Sequence, residues 1–415
     1  MPLPQHDRII LRDLVKQVAD IAALPVQRET LAQWQWLNQL RKTRPLVCIF
    51  QVPWHEMNVD DELTPRCESD WGRGLEVGLR QTLYQWAHFR DDQVIESTMI
   101  CGYAISDTGF GVSEVSDVNT SSGLASRHFH EQFHGPADVE KIRFPEIGHD
   151  EAATERGFQE LGDLCGDILP IVKRGITHMW FAPWDLLITW YGVATAMLDM
   201  VLNPGLVNAC MERLVDAYLY RLRQWEELNL LSLPGDNGMA GSGGLSATPE
   251  LPPAGCDPGR ITPPDLWGCA TPQIFSEISP EMHWEFALRH EMRWLERWGL
   301  NYYGCCEPLH TKLDLLRRIP NLRKVSCSPK CDKAVMAEKI GTDYVISLKP
   351  NPAILATDPW NPELARRELR EDLEKLRGCV VEIVLKDIST VRFEPRRLWE
   401  WATIAQEVAA EFAEG

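Results

Sequence analysis

The chain has 415 residues, with 42 Lys and Arg against 60 Asp and Glu, a formal net charge of −18. That balance repels phosphate backbones and anionic lipid, and no concentrated basic run offsets it, which argues against nucleic acid and membrane surfaces as partners. Hydrophobic residues make up 44% and charged residues 25%, which excludes wholesale disorder.

In chain order, residues 1–44 read as an N-terminal helical extension anchored by Trp34 and Trp36. The opening MPLPQHDRIILRDLVKQ lacks a basic region followed by an apolar one and a small-residue cleavage site. No later window approaches ~18 uninterrupted apolar residues, so a cytoplasmic location is expected. From residue 45 to 415, eight apolar, β-branched runs recur: Leu46–Val52, Val94–Ile100, Ile176–Phe181, Leu230–Leu233, Tyr302–Cys306, Arg323–Ser328, Tyr344–Lys349 and Val380–Lys386. Amphipathic stretches separate most of them, and two, Pro204–Leu228 and Pro280–Trp298, open on a proline suited to the first helical turn. Strand and helix in alternation predict an α/β fold, a single (β/α)8 TIM barrel with long βα loops. The stretches 101–175 and 234–279, rich in Gly, Ser, Pro and Asp, are predicted as long loops at the mouth of the barrel.

Catalytic residues of such a barrel sit where its strands end. The first run ends in Trp54, His55, Glu56, Met57 and Asn58, the third in Pro183, Trp184 and Asp185, and the fourth in Asp236, Asn237 and Gly238 followed by GSGG at 241–244. The fifth ends in Cys305, Cys306 and Glu307 with His310 close behind, the sixth in Cys327 with Cys331 after it, the seventh in Lys349, Pro350 and Asn351, and the eighth in Lys386 and Asp387. Neighbouring strands lie ~4.8 Å apart, so thiols from the fifth and sixth could share one metal. Strand alternation would place Tyr303, Cys305 and Glu307 on one side and Cys306 on the other. Cys305, Glu307 and Cys327 are then the expected ligands, with Cys306, His310 or Cys331 as substitutes. Soft thiolates with one carboxylate or imidazole suit zinc, and three protein ligands leave a position open for substrate.

Other groups read more blandly. His128, His130 and His134 read as a surface or lid cluster, with a metal or substrate site as the alternative, and the GSGG run could admit close backbone approach to a ligand. Eight of the 12 cysteines (Cys48, Cys67, Cys101, Cys165, Cys210, Cys256, Cys269 and Cys379) read as inert filler. Trp294 and Trp298 have core spacing, whereas Trp54, Trp184 and Trp267 are placed to wall a pocket.

Over about Asp265–Phe412 the segments DLWGCATPQIFSEISPEMHWEFALRHE, NYYGCCEPLH, IPNLRKVSCSP and VEIVLKDISTV resemble the uroporphyrinogen decarboxylase-like superfamily. That superfamily also holds zinc-dependent methyltransferases acting with corrinoid proteins and cobalamin-independent methionine synthase. Residues 183–219 are similar to its pattern of a post-strand proline, a Gly-containing helix and a following helix. The resemblance implies a (β/α)8 barrel and a methyltransferase. QVPWHEMN at 51–58 has no arginine where the decarboxylases grip an acidic tetrapyrrole, which argues against uroporphyrinogen as substrate. The methyltransferases' His-x-Cys reads Tyr303, Gly304 and Cys305 here, the last strand end has no cysteine, and no Asp-x-His-x-x-Gly cobalamin signature is present.

The leading expectation is a methyltransferase in which zinc, held by Cys305, Glu307 and Cys327 with Cys306 in reserve, activates a thiolate or a methylated substrate. Catalytic roles fall to His55, Asp185, Asp236 and Lys386, and substrate contacts to Trp54, Trp184, Asn237, Tyr303, Asn351 and Asp387. The expected partners are a small-molecule methyl donor or acceptor, a separate corrinoid protein and a second copy of the chain. The alternatives are a metal-independent lyase of the decarboxylase type using His55, Asp185 and Lys386, and a non-catalytic corrinoid, porphyrin or metal-binding protein.

Overall fold

The computed structural model describes residues 3–119 and 126–413. Six strands form one parallel sheet: β1 (Leu46–Ile49), β2 (Trp267–Ala270), β3 (Leu300–Tyr303), β4 (Leu322–Cys327), β5 (Val345–Leu348) and β6 (Val380–Leu385), in the order β1-β6-β5-β4-β3-β2. Every residue of β1, β3, β5 and β6 is buried, as expected of parallel strands covered on both faces. One face, with Val47, Ile49, Val325, Ile346, Ile383 and Leu385 in the main core, packs against helices including Arg289–Leu295 and Arg396–Glu411. The other carries Lys324, Ser326, Ser347 and Glu382, all fully buried.

The ladders do not close into the eight-stranded barrel expected from the sequence. Val94–Ile100 was expected beside β1, but side chains take that place: the Asp92 carboxylate accepts from Val47 N at 2.7 Å and the Asp91 carboxylate from Ile49 N at 2.7 Å. Met99–Gly102 instead pairs in parallel with Ile171–Arg174, and Ile176 makes an isolated bridge to Leu231. At the opposite edge, residues 179–181 run beside β2 with two bonds, Cys269 Sγ to the Met179 carbonyl at 3.3 Å and Thr271 N to the Phe181 carbonyl at 3.3 Å.

Both long loops contain structure. Residues 101–175 hold a helix, Glu151–Cys165, capped by Asp150 accepting from Ala153 N, together with short strand pairs, and 234–279 contains β2 itself. The N-terminal segment forms helices Gln5–Ala22 and Pro25–Asn38. Trp34 is fully buried, its indole donating to the Asp92 carbonyl at 2.7 Å, while Trp36 is 45% exposed and carries Arg41 over its ring. Among the described residues, no single helix is long and apolar enough to cross a membrane.

Between Trp34 and the sheet lies the GSGG run. A β-carbon on Gly244 would sit 2.3 Å from Trp34, and one on Gly243 would sit 2.4 Å from Glu382 and 2.7 Å from Tyr302. Only glycine lets this backbone come so close to the sheet. Gly244 N in turn donates to Glu382 at 3.0 Å, and Lys324 completes a buried ion pair with Glu382 at 2.7 Å.

Candidate functional site

Because all six strands are parallel, their C-terminal ends share one edge of the sheet, and the chemistry gathers there. β3 ends at Tyr303, and Gly304 then takes a positive φ of 96°. This left-handed residue interrupts strand alternation. Tyr302 faces the glycine loop and Lys349, whereas the buried Tyr303 hydroxyl lies on the helix side between His283 Nε2 and Glu291 Oε2, each at 2.7 Å. After the turn Cys305 returns to the loop-facing side. A β-carbon on Gly304 would meet Leu309 at 2.4 Å and Ser326 at 3.0 Å. Gly304→Ala should therefore lower stability by about 1–3 kcal/mol and slow alkylation of Cys305, checked by thermal melts and iodoacetamide kinetics.

The Cys305 sulfur is 2% exposed as a residue and is ringed by donors: Ser242 Oγ at 3.4 Å, Lys386 Nζ at 3.5 Å and Cys306 Sγ at 3.5 Å. The glycine loop delivers Ser242, whose oxygen also meets Lys349 Nζ at 2.7 Å and Lys386 Nζ at 2.9 Å. Lys349 is seated by Ser326 Oγ at 2.8 Å, Tyr302 OH at 3.1 Å and the Cys305 carbonyl at 3.3 Å. The Cys306 thiol, then the ammonium groups of Lys349 and Lys386 and the Ser242 hydroxyl, pull Cys305 well below the ordinary thiol range, against burial that pushes it up. Cys306 is correspondingly raised, first by its bond to the Cys305 sulfur. The donors around Cys305 thus favour the thiolate at Cys305 over the thiolate at Cys306.

Two carboxyls lie near this sulfur, Glu307 buried and Asp185 half-buried. Glu307 accepts from Thr271 Oγ1 at 2.9 Å and from Cys305 N at 2.9 Å, and burial raises it. Asp185, near the start of helix Pro183–Tyr191, is bonded by Gln273, and its Oδ1 has no hydrogen-bond partner within normal distance among the described residues. Burial pushes Asp185 up to about 7, opposed by Gln273 and reinforced by the Cys305 and Glu307 charges. Between the unfolded value of 3.8 and about 7, the native state keeps a proton the unfolded chain has lost, so stability falls as pH rises through that window. Asp185→Asn should raise the melting temperature by a few degrees at pH 8, with the gain vanishing near pH 4, as a paired thermal-melt series would show.

The residues expected to bind zinc do not come together. Cys327 follows Ser326 on β4 and takes the opposite face, where it interacts with Cys331 inside the helix-side core. Ser326 faces Lys349 and the Cys305 carbonyl, so Cys327 points away from Cys305. Glu307 is committed to Thr271 and Cys305 N. Among the described residues, no group of three His, Cys, Asp or Glu side chains is placed to hold a metal ion. Cys305, Cys306, Glu307 and Cys327 do not fit a zinc centre.

Several other expected site residues lie elsewhere. Trp184 is fully buried with its indole on the Phe286 carbonyl at 2.8 Å, so it is core and walls no pocket. Tyr303 is equally buried on the helix side and is not open to substrate. Trp54 packs on Tyr84 and Phe89, and the His55 side chain is 73% exposed, near Glu56 and Phe393. Asn237 accepts from Val94 N and donates its backbone N–H to Glu96, and Asp236 is raised by burial and by Glu96. Asn351 caps the turn Pro352–Ala356. Asp387 does border the site, its carboxylate 3.9 Å from Cys306 Sγ and 4.0 Å from Lys386 Nζ. His130 pairs with Asp117 at 3.1 Å on an exposed strand pair.

The sequence reading did not include Lys349, Ser242, Thr271 or Gln273 among the site residues. Lys349 was detectable as a second strand-end lysine on a neighbouring strand. Ser242 was detectable only by asking what a GSGG loop presents to the sheet.

No protein-family model matches the chain, and no curated protein matches it. A solved structure, a methyltransferase from Methanosarcina mazei, is similar in fold, covering 93% of this chain and 99% of that chain with a TM-score of 0.50 and 13% identity. At that identity the likeness speaks for the fold.

Proposed function

We propose that this protein is a methyltransferase whose reactive group is the Cys305 thiolate. The observation that carries the reading is the ring of donors around one sulfur: Lys386, Ser242 and Cys306 within 3.5 Å of it, with Lys349 behind. An anionic sulfur is the nucleophile that methyl transfer requires, and here two ammonium groups and a thiol sustain it without a metal. The superfamily resemblance and the fold shared with a methyltransferase support the choice of methyl over other groups. The closed (β/α)8 barrel belongs to that same resemblance.

In the proposed cycle the Cys305 sulfur attacks the methyl carbon of a small-molecule donor. The S–C bond forms as the donor's bond to methyl breaks, and the departing oxygen or nitrogen takes the proton held by Asp185. A second nucleophile then removes the methyl group, and the lysines receive the restored thiolate. The chain carries no cobalamin signature, so a corrinoid acceptor would arrive on a separate protein. Incubation with aryl methyl ethers and quaternary methylamines, followed by peptide mass mapping, should add one methylene mass to the Cys305 peptide and none in Cys305→Ser. Undiminished turnover in Cys305→Ser would refute the reading.

A further inference from the structure

We propose that Cys305 and Cys306 form a modification site for hydrogen peroxide, at which Cys305 is oxidised and Cys306 closes a disulfide onto it. The inference rests on the reading of Cys305 as a thiolate. Its own basis is the geometry of the adjacent pair. The two sulfurs lie 3.5 Å apart without a bond, one residue buried and the other exposed. Thiolate character together with access marks the cysteines that peroxide oxidises, and a resolving thiol beside them diverts the product from irreversible oxidation. Cys306 supplies the access and the second thiol. The other close thiol pair, Cys327 and Cys331, has both members buried.

The chemistry balances as follows. The Cys305 thiolate attacks one peroxide oxygen, the S–O bond forms, the O–O bond breaks, and the released hydroxide takes a proton and leaves as water. Cys306 then gives up its proton, for which the Asp387 carboxylate at 3.9 Å is the nearest acceptor on that side. Its sulfur attacks the Cys305 sulfur, the S–O bond breaks, and a second water departs. Two thiols lose two electrons and one peroxide becomes two waters.

The product would be strained. Cα atoms joined by a trans peptide are about 3.8 Å apart, whereas disulfides prefer roughly 4.4–6.8 Å. A strained, accessible disulfide has a high reduction potential, so ordinary thiols would reverse it. Oxidation would thus remove the nucleophile and reduction would return it.

The test treats the full-length protein with hydrogen peroxide, blocks free thiols with N-ethylmaleimide and maps the peptides by mass. The peptide holding both cysteines should be unlabelled and lighter by two hydrogens, and should regain both labels after dithiothreitol. Cys306→Ser should instead trap a dimedone-reactive sulfenic acid or a sulfinic acid on Cys305. A wild-type protein that accumulates sulfinic acid on Cys305 while Cys306 stays labelled would overturn the proposal. So would a peptide that stays fully labelled although iodoacetamide alkylates Cys305 rapidly at about pH 6, an outcome that leaves the thiolate reading standing. A Cys305 that resists both reagents would remove the thiolate reading and this inference together.

Discussion

At about pH 6, iodoacetamide should alkylate Cys305 ahead of Cys306, although Cys306 is the more exposed, and Lys386→Met should slow that alkylation about tenfold. The reactive species is the thiolate, and its population decides the rate. Lys386 places an ammonium nitrogen 3.5 Å from the sulfur. An opposite charge at such a distance shifts a titration by roughly 1–3 units, and each unit removes about nine-tenths of the thiolate below its midpoint. Methionine keeps most of the side-chain volume and deletes only the charge. Raising the pH to about 9 should restore the variant's rate, which separates lost charge from a distorted site. A Lys386→Met protein alkylated as fast as wild type would show that the lysine does not sustain the anion.

The second large effect concerns stability. Lys324 and Glu382 are both fully buried and pair at 2.7 Å, with Gly244 N and the Leu245 carbonyl as their remaining partners. Removing one member of such a pair strands the other charge in a medium that cannot solvate it, a loss of about 3–5 kcal/mol. Lys324→Met should show this as a marked fall in melting temperature. Lys324→Met combined with Glu382→Leu should recover most of it, because replacing both charges removes the desolvation penalty as well. The pair also fixes the GSGG loop, so the single variant should slow Cys305 alkylation through a displaced Ser242. A single variant as stable as wild type would mean that the loop is held by other contacts.

How much of this was legible in the sequence follows from where the signals were periodic. β1, β4, β5 and β6 fall within the expected runs, because the helix-side face of each is apolar and β-branched, even where the other face carries Lys324, Ser326, Ser347 and Glu382. β2 was missed because its four residues, Trp267–Ala270, follow a Gly- and Pro-rich stretch that reads as loop. The sheet stays open at β1 for a different reason. Two adjacent carboxylates, Asp91 and Asp92, satisfy the edge N–H groups, and no strand pattern announces that substitution.

Within the site, Cys305, Cys306, Glu307, Lys386 and Asp185 were marked by their position at strand ends. Tyr303 was assigned to the wrong face because alternation was carried through Gly304, where the backbone turns left-handed. Cys327 was joined to Cys305 by strand adjacency alone, although consecutive side chains on β4 face opposite ways. Ser242 and Lys349 meet only once the glycine loop folds against the sheet, a contact between segments 107 residues apart.

The proposed methyl transfer requires Cys305 to be ionised at neutral pH. The most direct measurement is the thiolate absorbance near 240 nm followed against pH, taken as the difference between wild type and Cys305→Ser. The arrangement around the sulfur predicts a one-thiolate step with its midpoint well below the ordinary thiol value of about 8.5. A difference curve that rises only at or above that value would show Cys305 to be an ordinary thiol and remove the proposed nucleophile.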